Sequence, residues 1–230
     1  IVMRLKPQGN LGIVPIGKIA FSHEDALRQK EKLFAALRQW GVRFTDVEGI
    51  VEDGLLRSTD QVPAIAKHLR QMEVDALFLP HCNFGTEDAT AMLAREMNLP
   101  TLLCGPRDEA PLSDGSRLRD SLCGCFAPSK ALHPPGVRSD SLENSSVDDP
   151  VFRRSLERFL GAVRVKAALG SARIGQVGMR IPFFWCTIHD EADLLRRFNV
   201  QVMPFDMVEV IEGYRNRYNK NEKMYGAELA

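Results

Sequence analysis

His81, Cys82, Asn83 and Phe84 stand side by side where an apolar run ends, inside LPHCNFGTEDA (79–89). An imidazole, a thiol, an amide and an aromatic face on one short loop suit sugar recognition, with polar groups for hydroxyls and a flat face for the ring. The other reading has His81 hydrogen-bonded within its own loop and Phe84 packed on the sheet. A second apolar run ends at Cys104 and opens into Gly105, Pro106, Arg107 and Asp108. Ligands of parallel α/β sheets sit just past the carboxyl ends of strands, so 81–85 and 105–114 are expected to be neighbouring walls of one pocket. Gly17 and Lys18 close an earlier apolar run, where the lysine either donates to a sugar hydroxyl or stands as a solvated charge. In IGQVGMR (174–180), glycines allow close backbone approach, which makes Met179 a pocket wall or ordinary core filling, with Arg180 beside it. The G-x-x-G order there lacks the G-x-G-x-x-G fingerprint and argues against a dinucleotide cofactor.

Other reactive residue types read as structural. Arg107 next to Asp108 suits an ion pair that shapes a Pro-fixed loop. Arg117, Arg119 and Asp120 read as a charged helix face, solvated or at a subunit contact. The odd count of five cysteines points to reduced thiols rather than a disulfide framework. Cys104 and Cys186 lie in apolar runs as small core residues. Cys123 and Cys125 have C-x-C spacing, and no second pair lies near them to complete a tetrahedral zinc site.

The elements that must hold these loops alternate between two periods. Strands are expected at 11–16, 42–47, 76–80 and 101–104, with helices at 24–40, from Ser58 onward, and at 87–97. Ser58 with Gln61 has capping-box spacing, and Thr86 is a plausible cap for the third helix. Strand and helix in alternation mean a parallel sheet, a Rossmann-like (flavodoxin-like) α/β domain over 1–149. A helix-like segment follows at 117–126, and 133–150 (HPPGVRSDSLENSSVDDP) reads as a linker or exposed insertion. A second α/β unit is expected over 150–230, with a helix at 151–169, a strand at 174–177, a helix at 191–198 and a strand at 200–203. It reads as incomplete, since the chain turns polar from Gly213; residues 214–225 suit an exposed helix or a frayed end.

Thirty Lys plus Arg balance thirty Asp plus Glu across 230 residues, which removes a global pull toward nucleic acid or anionic membrane. A neutral small molecule or a protein partner is favoured. No apolar run reaches the roughly 20 residues that span a bilayer, and the first ten residues lack signal-peptide order, so a cytoplasmic location is expected.

Four strings in order, LPHCNFGTEDA (79–89), LPTLLCGPRDEAPLSDGSRLRDSLCG (99–124), IGQVGMR (174–180) and EADLLRRFNVQVMPFDMVEVI (191–211), resemble the amino-terminal half of the L-fucose and L-arabinose isomerase family. The resemblance extends over about 11–211. It implies an aldose–ketose isomerase with two Rossmann-like domains and a third, mostly β domain, a divalent metal, usually manganese, and a homo-oligomer with active sites between subunits. It also implies that the 81–84 loop, the Gly17–Lys18 turn and the Met179 turn face the sugar. The fucose isomerases tend to carry tryptophan where Cys82 aligns, which leaves the substrate open between a pentose and a deoxyhexose. Isomerisation moves a proton between C1 and C2 through an enediolate whose charge needs stabilisation, and a carboxylate- and imidazole-bound metal supplies it. In the family those ligands come from later in the second domain and from the third, so catalytic and metal-binding residues are expected beyond residue 230 and this chain alone is expected to be inactive.

Three functions therefore stand side by side: part of an aldose–ketose isomerase, a non-catalytic sugar-binding module, or an oligomerisation module.

Overall fold

The computed structural model describes residues 9–132, 139–170 and 172–226. The amino-terminal reading of 1–8 and the 133–138 part of the expected linker lie outside them. The chain divides into two compact units, Ile1–Val165 and Lys166–Ala230.

The first unit runs β1 (Leu11–Ile13), α1 (His23–Gln39), β2 (Phe44–Thr45), α2 (Val62–Gln71), β3 (Ala76–Pro80), α3 (Glu87–Met97), β4 (Thr101–Cys104), α4 (Ser121–Leu132), β5 (Ser139–Ser141) and α5 (Pro150–Leu169). All strand pairs are parallel and the order is β2-β1-β3-β4-β5. Strand periodicity explains the two cores. Leu77 and Leu79 face α2 and α3 residues such as Ile65, Leu69 and Leu93, whereas Ala76 and Phe78 face Phe34 and Leu37 of α1 and Phe152 and Leu156 of α5. Each face of the sheet is thus covered by helices, as a parallel sheet requires.

Local signals account for the helices. Ser22 accepts from the amide of Asp25 to start α1, and Ser58 with Gln61 forms the reciprocal capping box that leads into α2. Thr86 occupies the position before α3 without capping it. Lys30, at a position of core-facing spacing on α1, is buried because its ammonium reaches Glu48 Oε1 at 2.5 Å and the Asp53 carbonyl at 2.6 Å. That lysine fixes the loop after β2.

The second unit pairs β6 (Arg173–Val177) with β7 (Gln201–Phe205) in parallel through α6 (Glu191–Phe198), and α7 (Met207–Gly226) follows. Asp190 caps α6 by accepting from the Asp193 amide, and Asn199 closes it in the left-handed conformation. Phe183, Trp185 and Ile188 are exposed in the β6–α6 connection, and Cys186 among them is exposed rather than a core residue. No helix among the described residues is long and apolar enough to cross a membrane.

Candidate functional site

In a sheet of order 2-1-3-4-5 the chain reverses its winding direction between β1 and β3, and the loops leaving those strands are hydrogen-bonded to each other, Cys82 donating its amide to the Ile16 carbonyl at 2.9 Å. Gly17 and Lys18 follow β1 there, and His81 to Phe84 follow β3. Asn83 stitches the two together. Its Oδ1 accepts from the amides of Lys18 (2.9 Å), Phe84 (2.7 Å) and Gly85 (3.3 Å), while its Nδ2 donates to the carbonyls of Lys18 (3.1 Å) and Ser22 (3.3 Å). Thr86 adds a third loop, its hydroxyl lying 2.7 Å from the Gly17 carbonyl and 3.1 Å from that of Arg57.

His81 and Cys82 are buried beneath this surface. His81 Nδ1 sits 3.0 Å from the Phe84 carbonyl, an acceptor only, so Nδ1 carries the proton. Nε2 is then a buried lone pair with no partner among the described residues. Burial pushes the imidazole down to about 4, partly countered by the Phe84 hydrogen bond. Burial also pushes the thiols of Cys82 and Cys125 up to about 12 and that of Cys104 well above its usual value. None of the three is a thiolate nucleophile at neutral pH. Two glycines let the loop close this tightly: a Cβ on Gly85 (φ +85°) would stand 2.0 Å from His81 Nδ1, and one on Gly124 would stand 1.7 Å from the Phe84 carbonyl oxygen.

Lys18 is the exposed member of the set. Its ammonium lies 4.5 Å from the centre of the Phe84 ring, and that half-buried ring stacks on Phe21 at 5.1 Å. Lys18 forms one wall of a cavity of about 260 Å³ that Gly17, Asn83, His23, Asp53 and Arg57 also line. Sequence reading passed over His23, Asp53 and Arg57 because they come from three separate segments with no motif among them. In space they touch: Asp53 Oδ2 lies 3.2 Å from His23 Nε2 and 3.1 Å from Arg57 Nη2, and that same Nη2 lies 3.0 Å from His23 Nδ1. The one local mark in the sequence is the turn-forming pair Asp53–Gly54, and both residues adopt positive φ (+56° and +63°).

The 105–114 loop is organised differently from expectation. Arg107 pairs with Asp149 at 2.9 Å, not with Asp108, whose carboxylate caps α4 by accepting from the amides of Ser121 (2.8 Å) and Leu122 (3.1 Å). Arg119, expected on a charged helix face, solvated or at a subunit contact, is instead buried within the chain at 4% exposure and meets Asp25 at 2.7 Å, with Glu109 at 2.8 Å. Burial would raise the Asp25 carboxyl, but hydrogen bonds from Arg28 and Arg119 outweigh it and hold the group below its ordinary range.

Over residues 12–170 the chain matches the family model described as fucose/sulfoquinovose isomerase, N-terminal domain. The chain belongs to this family. No curated protein matches it. The parallel sheet that a fucose/sulfoquinovose isomerase amino-terminal domain supplies here is the one that carries Lys18 and the 81–86 loop.

Met179 and Arg180 lie in the second unit. Met179 is 95% exposed, and Arg180 Nη1 donates to the carbonyls of Ile181 (3.0 Å) and Pro182 (2.9 Å). Both line a separate cavity of about 510 Å³ that also includes Phe184, His189 and Glu191.

A divalent metal needs three or more converging carboxylate, imidazole or thiolate ligands, and no such group forms among the described residues. His23 and Asp53, the nearest approach to one in the cleft, are both bonded to the Arg57 guanidinium, a cation that a metal would have to displace. The described residues therefore do not fit the manganese that the family resemblance implies.

Proposed function

We propose that this chain supplies part of the sugar pocket of an aldose–ketose isomerase, an intramolecular oxidoreductase acting on a pentose or deoxyhexose, and that it does so within a cytoplasmic homo-oligomer. The observation that carries this reading is the cleft between the loop after β1 and the segment after β2 in a member of a sugar-isomerase family, lined by an exposed lysine that no carboxylate pairs among the described residues. Lys18 offers three N–H donors to sugar oxygens, and the Phe84 ring holds it in place. Asn83 and Thr86 set the distance between the loops. His81 and Cys82 act beneath the surface, shaping the turn rather than touching the ligand. Met179 and Arg180 form a sugar-facing wall of the second unit. The exposed apolar connection at 183–188 suits a subunit contact. The ligands of a catalytic metal come from residues other than those described.

Isothermal calorimetry with L-fucose, D-arabinose and L-arabinose tests the pocket. Saturable millimolar binding of at least one sugar is expected, weakened about ten-fold or more in Lys18→Ala, since hydrogen bonds to a charged group contribute about 1.5–3 kcal/mol. Failure of all three sugars to bind would overturn the reading.

A further inference from the structure

From the geometry of the cleft we infer that Asp53 is a specificity-determining residue, its free carboxylate oxygen accepting two adjacent hydroxyls of a neutral sugar. The inference rests on the sugar-pocket reading above and adds to it the residue that reads the substrate. An ionised carboxylate has about four lone-pair positions. On Asp53, Oδ2 already serves two donors, His23 Nε2 and Arg57 Nη2. Oδ1 has no partner among the described residues, and the side chain is 40% exposed on the cavity wall. Two lone pairs on one oxygen match two neighbouring hydroxyls, and the negative charge on that oxygen turns away an anionic substituent in their place.

The surrounding groups hold this oxygen in place. Arg57 donates to His23 Nδ1, and because a guanidinium only donates, Nδ1 accepts and the imidazole proton sits on Nε2, toward Asp53. Arg57 reaches Glu52 Oε2 at 3.4 Å as well, and its side chain is only 12% exposed. Lys30, buried on α1, holds the Asp53 carbonyl. Asp53 is thus fixed at backbone and side chain in a left-handed conformation that few non-glycine residues adopt.

Charge decides what kind of sugar fits. The ionised groups of the wall are Lys18 and Arg57 against Glu52 and Asp53, two of each sign with His23 neutral. Arg57 is committed to its own carboxylates, so an anionic substituent entering beside Asp53 meets a negative oxygen with no free cation but Lys18. A sulfonated or phosphorylated sugar is disfavoured at that position, and a neutral sugar is accepted.

Calorimetry on the whole chain with L-fucose, its single-deoxy analogues and 6-deoxy-6-sulfo-D-glucose tests this, comparing wild type with Asp53→Asn. Asparagine tolerates the left-handed backbone and keeps an oxygen for Arg57, and a thermal melt checks that the variant is folded. Wild type should bind L-fucose at least ten-fold more tightly than the sulfonated sugar. Removing either of two adjacent hydroxyls should weaken wild-type binding about ten-fold, as expected for hydrogen bonds to a charged group. In Asp53→Asn, L-fucose binding should weaken about ten-fold, and both the hydroxyl dependence and the discrimination should shrink. Unchanged L-fucose affinity in a folded Asp53→Asn, or tighter wild-type binding of the sulfonated sugar, would overturn the inference while leaving the sugar pocket standing. If the variant does not fold, the deoxy series on wild type decides: no pair of adjacent hydroxyls with that cost overturns it, and such a pair supports it. Absence of binding by every sugar removes both the pocket and the role of Asp53.

Discussion

Arg119→Ala is expected to lower the unfolding free energy by about 2–3 kcal/mol, because it removes one of the two arginines that pair the Asp25 carboxylate, 3% exposed, and leaves Arg28 as its one remaining cation. The arginine also donates twice to the Arg107 carbonyl, so its loss frees the 105–119 loop from α1. Desolvation decides the size of the effect: an exposed ion pair of the same geometry contributes about 0–1 kcal/mol. The double variant Asp25→Leu with Arg119→Met should recover most of the loss, since removing both buried charges leaves nothing uncompensated. Urea unfolding of the three proteins measures this. A single-variant cost below about 1 kcal/mol would mean that water reaches the pair.

Acid should destabilise the protein well before the carboxylates protonate. The folded His81 imidazole takes a proton only at about 4, against 6.5 for the ordinary side chain. Between those values the unfolded chain binds more protons, so stability falls as pH falls, and the full contribution is present above pH 6.5. The gap corresponds to about 3 kcal/mol lost by pH 4. Asp25, whose carboxyl is held below its ordinary 3.8, adds a further loss only below that pH. His81→Gln removes the first step and not the second. Unfolding free energies measured from pH 7.5 to 4 should therefore show a steeper decline in wild type than in His81→Gln; parallel curves would contradict the buried, neutral histidine.

Much of the sheet was legible because its strands are short apolar runs that end abruptly. Residues 76–80 and 101–104 read as strands and fold as β3 and β4, and 87–97 and 191–198 fold as helices with those same ends. β5 was not legible: Ser139, Asp140 and Ser141 are all exposed at the edge of the sheet, so no apolar pattern marks them. Arg119 was misread for a related reason, since a charged residue signals exposure in sequence and only the fold supplies the partners that let it be buried. Thr86 likewise has the chemistry of a helix cap, but its hydroxyl faces the carbonyls of Gly17 and Arg57, to which it donates, and accepts from no amide of α3. For the candidate site, sequence pointed to Lys18 and the 81–84 loop because they adjoin strand ends, and the fold places both after parallel strands. It could not assemble His23, Asp53 and Arg57, whose proximity depends on how α1 and the segment after β2 converge.

The most direct measurement is a crystal structure of the protein soaked with L-fucose. The account predicts sugar density in the crevice between the loop after β1 and the segment after β2, with oxygens within hydrogen-bond distance of Lys18 Nζ and Asp53 Oδ1. Sugar bound elsewhere on the molecule, with that crevice holding only solvent at saturating concentration, would contradict it.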